Sequence, residues 1–108
     1  MVTESVIQQL VDRIKQFDPE KIILFGSYAY GTPNEDSDVD LFVIKNVKPV
    51  NARKLRINIR THLRDIIYNQ NVPVDLLLDS QEHIDKRIEK GDSVYKEIMS
   101  KGRTVYEK

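Results

Sequence analysis

The chain has 108 residues, 40% hydrophobic and 31% charged, with no cysteine and a formal net charge of zero. At roughly 100–200 residues per domain this is a single domain spanning 1–108, and the missing cysteines exclude disulfides, thiolate metal sites and a cysteine nucleophile. No apolar run approaches the ~18–20 residues of a membrane span, the start lacks the pattern of a secretory signal, and the charge balance speaks against a dedicated nucleic-acid binder, so a reducing cytoplasm is the expected location. The zero net charge conceals segregation: residues 1–40 hold three Lys/Arg against eight Asp/Glu, whereas residues 41–65 hold seven against one.

In chain order, Val6, Leu10, Ile14 and Phe17 recur at helical spacing, and Ser5 with Gln8 has the spacing of a capping box. This first helix ends near Asp18-Pro19. The apolar run Ile22–Phe25, closed by Gly26-Ser27, predicts a buried strand entering a tight turn. A second strand follows over Val39–Ile44. A helix is predicted from Asn51 to Asn69, with Ala52, Leu55, Ile59, Leu63 and Ile66 on one face and Arg53, Arg56, Arg60 and Arg64 as a neighbouring basic stripe. A third strand is expected over Val72–Leu78, with Pro73 near its start, where a missing N–H is tolerated. One or two short helices fill 80–101 and Thr104–Tyr106 adds a last short strand. Helices interleaved with strands define an α/β (α+β) class, a small mixed sheet packed with helices.

The chemistry concentrates in Gly26 to Asp40. Asp38 and Asp40 stand two residues apart at a strand's start, so the strand period places both carboxylates on one face, about 6.5–7 Å apart along the chain. Two such acids beside Val39, Leu41 and Val43 repel each other and are poorly solvated unless a cation offsets them. Hard oxygen ligands favour magnesium or manganese over zinc. Asp75 is a lone acid in the apolar run Val72–Leu78, and a neighbouring strand could set it beside Asp40. Gly26 and Ser27 supply the complementary half, because a glycine lets phosphate approach the backbone and a hydroxyl with N–H groups at a turn or helix start binds its oxygens.

Gly26-Ser27, ten residues, then Asp38-Val39-Asp40, with the later Asp75, resembles the active-site signature of the DNA polymerase beta-like nucleotidyltransferase superfamily. The short length and the stretch from Gly91 to Glu107 make it similar to the minimal nucleotidyltransferase branch, and the likeness covers nearly the whole chain. The resemblance implies the nucleotidyltransferase fold, with Asp38 and Asp40 binding two magnesium ions, Asp75 joining one ion and helping to activate an acceptor hydroxyl, and Gly26 and Ser27 holding the outer phosphates. It also implies ATP as the nucleotide, attack on its α-phosphate, and departure of pyrophosphate. Family members often carry a basic residue where this chain has Tyr30.

Larger relatives hold base and acceptor with a second domain, for which 108 residues leave no room. The resemblance therefore implies a protein partner of the HEPN toxin class, silenced by transfer of AMP to one of its tyrosines, with this chain as antitoxin. Two alternatives stand beside it: a binding module that neutralises its partner by occlusion, and an enzyme that nucleotidylates a small molecule such as an aminoglycoside. A homo-oligomer is compatible with either. The arginine stripe is expected to be a solvated face, with a smaller expectation that it meets triphosphate or an acidic partner. His62 is expected to be packed or capped, His83 to be exposed beside Glu82 and Asp85, and Tyr28 and Tyr30 to wedge the turn against the sheet. Glu35 and Asp36 are expected in a solvated turn.

Overall fold

The apolar stripes of the sequence assemble as two helical layers on a central sheet in a computed structural model, which describes residues 2–108. The elements are α1 (Glu4–Lys15), β1 (Lys21–Phe25), α2 (Ser27–Tyr30), β2 (Val39–Ile44), α3 (Pro49–His62), α4 (Arg64–Asn69), β3 (Val74–Asp79), α5 (Gln81–Glu89), α6 (Ser93–Lys101) and β4 (Arg103–Glu107). The sheet runs β3-β2-β1-β4; β2 and β3 are parallel, and the other two pairings are antiparallel. A parallel pair cannot be joined by a hairpin, and α3 with α4 supplies the crossover.

Both sheet faces are covered, which explains why β1 and β2 are apolar almost throughout. Ile22, Leu24, Leu41 and Val43 point to the face that receives Leu10, Val11 and Ile14 of α1 together with Ile59, Leu63 and Ile66. Ile23, Phe42 and Ile44 point to the other face and meet Ile84 of α5 and Ile98 of α6. Phe42 is fully buried there, with the Tyr95 ring edge-on at 5.4 Å. The period of two therefore feeds two cores from the same strands.

The element boundaries depart from the sequence reading at three places. Thr3, not Ser5, caps α1: its extended backbone (φ −85°, ψ 161°) lets Oγ1 accept from the Val6 N–H, while Ser5 lies inside the helix. The helix expected over Asn51–Asn69 begins at Pro49 and breaks at Leu63, whose backbone (φ −98°, ψ −5°) starts a new turn. The break leaves the His62 carbonyl without a helical donor, and Arg13 supplies one at 2.9 Å while also gripping both Asp65 oxygens, at 2.7 and 2.9 Å. Finally, β3 starts at Val74 rather than Val72; Pro73 has no N–H to pair, although its carbonyl accepts from Val39 at 2.8 Å.

Candidate active site

Asp40 is the second residue of β2, and its two cross-strand partners are Phe25 at the end of β1 and Asp75 in β3. Register alone thus sets two acids side by side on adjacent strands, about 5 Å apart across the sheet. Asp38 immediately precedes β2. On the third side stands Gly26, at φ 73° and ψ −159°. A Cβ built on Gly26 would lie 2.0 Å from Asp40 Oδ2, so a side chain here would collide with the carboxylate as well as strain the backbone. The Gly26 carbonyl accepts from Ala29 and Tyr30, at 3.0 and 3.1 Å, and starts the single turn of α2. The sequence reading put Ser27 at a turn or helix start; it is the first position of a one-turn helix, closed by Gly31 in the left-handed region (φ 78°).

The electrostatic load of the site falls on Asp40. Partial burial pushes the Asp40 carboxyl up to about 6, and the neighbouring charges of Asp75 and Asp38 push the same way. Asp40 is therefore a site of uncompensated negative charge that a cation would relieve. Among the described residues no three His, Cys, Asp or Glu side chains are grouped so that they could hold a metal ion. Magnesium is usually held by one or two carboxylates together with substrate phosphates. The donor set here is of hard carboxylate oxygens, with Asp38 and Asp75 on the cleft wall and Gly26 against the Asp40 carboxylate; Gly26 and Ser27 do not line that cleft.

A cleft of about 410 Å³ opens beside these acids, lined by Asp38 and Asp75 on one side and by Arg56, Ile57 and Arg60 of α3 on the other. Arg60 donates to the Val74 carbonyl at 2.7 Å, tying α3 to the residue before Asp75. The arginine stripe expected to be a solvated face thus contributes two side chains to the wall of the acidic cleft. Its sequence signal was the run of cations immediately following Asp40; only the α3 crossover decides which of them return to the site.

The remaining candidates fall into place individually. His62 is capped by the Asn58 carbonyl and meets Phe17 edge-on. Tyr28 packs on the core and its hydroxyl accepts from the Val2 N–H, whereas Tyr30 is 42% exposed and not wedged. Glu35 and Asp36 form an exposed turn. His83, expected to be exposed, is instead part-buried: Asp79 at the end of β3 accepts from His83 Nδ1 at 2.5 Å and from the Tyr95 hydroxyl at 2.9 Å. The correction follows from the helix period, since Ser80 caps α5 and turns position 83 back toward β3. Burial and the Asp79 carboxylate push the Tyr95 hydroxyl up to about 12.

Comparison with known proteins decides what this arrangement belongs to. The model of the family "Polymerase beta, Nucleotidyltransferase" matches residues 8–108. The chain is a member of the polymerase beta nucleotidyltransferase family. Two relatives come from Methanocaldococcus jannaschii. "Putative protein adenylyltransferase MJ0604" is 29% identical over 109 residues, covering 98% of this chain and all of that protein. "Putative protein adenylyltransferase MJ1305" is 44% identical over 66 residues, covering 58% of this chain and 42% of that protein. Among solved structures, a mutant of the toxin-antitoxin MntA-HpeT aligns with a TM-score of 0.54 at 20% identity, over all of this chain and 75% of its own. A toxin-antitoxin with AMP-PNP aligns with a TM-score of 0.53 at 20% identity, over 99% of this chain and 75% of its own. These structures share the fold, and nucleotidyl transfer is the activity of the family. No helix among the described residues is long and apolar enough to cross a membrane.

Proposed function

We propose that this chain transfers the AMP of ATP to a hydroxyl of a protein partner, a tyrosine of a HEPN-class toxin, and thereby acts as its antitoxin. The observation that carries the reading is Asp40 held between Asp75 and a glycine that no other residue could replace without displacing it. Names of relatives as protein adenylyltransferases, and the toxin-antitoxin neighbours of like fold, favour a protein acceptor and adenylate as the group moved.

In this reading Gly26 and Ser27 bind the outer phosphates, Gly26 by leaving the backbone open and Ser27 through its hydroxyl and N–H. Asp38, Asp40 and Asp75 would hold two magnesium ions, or manganese, which supply positive charge against the charge developing on the attacking and leaving oxygens. Asp75, which lines the cleft, orients the acceptor hydroxyl and takes its proton, which passes on to water. A bond forms between the acceptor oxygen and the α-phosphorus, the bond from that phosphorus to the oxygen bridging the β-phosphate breaks, and pyrophosphate leaves. Arg56 and Arg60 sit where they can draw the polyanion into an otherwise acidic cleft.

The test is intact mass spectrometry of the chain with its co-purified partner, before and after ATP and magnesium, using wild type and the double variant Asp38→Asn/Asp40→Asn. The reading requires the partner to gain one AMP with wild type alone. Unchanged masses, with the double variant still neutralising the partner, would replace transfer by occlusion.

A further inference from the structure

Between Asp40 and Asp65 the chain carries seven Lys/Arg and no carboxylate. Arg53, Arg56, Ile57, Arg60, Thr61 and Arg64 recur at spacings of three or four around that stretch and form one exposed face running through α3 into α4. The nearest acid in sequence, Asp65, is already committed to Arg13. The face is also apolar in places where a solvated helix has no use for it: Ile57 is 53% exposed and Tyr68 75% exposed. Ile57, Thr61, Arg64, Ile67 and Tyr68, with Arg60, enclose a groove of about 160 Å³. Ile57 and Arg60 line this groove and the acidic cleft alike, so the two lie side by side across those side chains.

We infer that this face of α3 and α4 is the docking surface for the acceptor, and that its occupant is an acidic protein segment whose apolar side chain enters the Ile57–Ile67 groove and whose hydroxyl is thereby delivered to the cleft at Asp75. The inference rests on the transfer reading above for the word acceptor, but the surface itself rests on charge and shape. Carboxylates flanking an apolar anchor complement arginines flanking an apolar groove, and Arg and Tyr are enriched at protein interfaces and among the residues that carry their binding energy. A nucleic acid fits less well. Single strands are held by aromatic side chains on which bases stack, and this face offers one exposed ring, Tyr68, on a chain of zero net charge.

The experiment uses the full chain and a fluorescein-labelled peptide in which Asp and Glu flank a central leucine and tyrosine, with a basic peptide of the same centre and a single-stranded RNA as competitors. Fluorescence anisotropy should give saturable, salt-sensitive binding of the acidic peptide, weakened about tenfold by Arg64→Glu and by Tyr68→Ala. Arg64→Glu should in addition narrow or invert the preference for acidic over basic peptide, which a general loss of fold cannot do. Neither residue lines the acidic cleft, so affinity for a fluorescent ATP analogue with magnesium should stay within about twofold of wild type. Peptide binding that ignores both substitutions, or RNA that displaces the peptide while the basic peptide does not, overturns the docking surface. Peptide binding with the expected variant effects but no AMP transfer to any acceptor leaves the surface standing and removes the transfer reading, so the two fail separately.

Discussion

Replacing Asp40 by asparagine should make the protein more stable while abolishing transfer. A carboxyl held at about 6 rather than at the usual ~3.9 corresponds to about 3 kcal/mol of destabilisation above pH 7. Because the side chain is only part-buried, solvent screening reduces this to ~1–2 kcal/mol. The sign follows from proton linkage. A raised folded-state pKa means the native state favours the protonated acid, so wild-type stability falls as pH rises from about 4 through 6 and then levels off. The amide has the same shape and does not titrate, so its advantage should be absent near pH 4 and complete above pH 7. For a chain of this size that is a gain of roughly 4–8 °C in melting temperature. Urea or thermal unfolding of wild type and Asp40→Asn from pH 4 to 8 measures it directly. Magnesium with a non-hydrolysable ATP analogue should reverse the order, stabilising wild type and leaving the variant nearly unmoved. An Asp40→Asn advantage that is negative, or independent of pH, would refute the account of an Asp40 carboxyl raised by partial burial and by its acidic neighbours.

Gly26→Ala should cost about 1–3 kcal/mol from the positive φ alone and should displace Asp40, lowering transfer by at least about 100-fold, as a misplaced reacting geometry does; denaturation and a pyrophosphate-release assay separate the two effects. Leu41→Ala, in the fully buried centre of the sheet, should cost ~2–5 kcal/mol by urea titration. Arg60→Met removes the bond to the Val74 carbonyl and should cost about 1 kcal/mol; because Arg60 also lines the cleft that receives ATP, KM for ATP should rise as well as kcat fall, read from steady-state kinetics. Asp79→Leu strands the His83 and Tyr95 donors in a part-buried setting and should cost ~1–3 kcal/mol, with kcat unchanged because the cluster lies at the far end of β3.

The candidate acids were legible in the sequence because their chemistry is local. Asp38 and Asp40 sit two apart at a strand's start, and Asp75 interrupts an apolar run where a charge has no other reason to be. The strands and most helices were legible for the same cause, since burial imposes periods of two and 3.6 on the residues themselves. Gly26 was legible as a glycine, but its necessity was not: the obstacle to a side chain there is Asp40, fourteen residues away. Whether Asp40 faces Asp75 depends on the parallel register of β2 and β3, and whether Arg56 and Arg60 face solvent or the cleft depends on how the α3 crossover lies against β3. The break at Leu63 likewise has no mark in its own segment, because the donor that satisfies the freed His62 carbonyl is Arg13 from α1. The sequence determined which groups could carry the chemistry; the tertiary structure decided which of them meet, because contacts between distant segments are set by the packing of the whole sheet and not by any stretch of the chain.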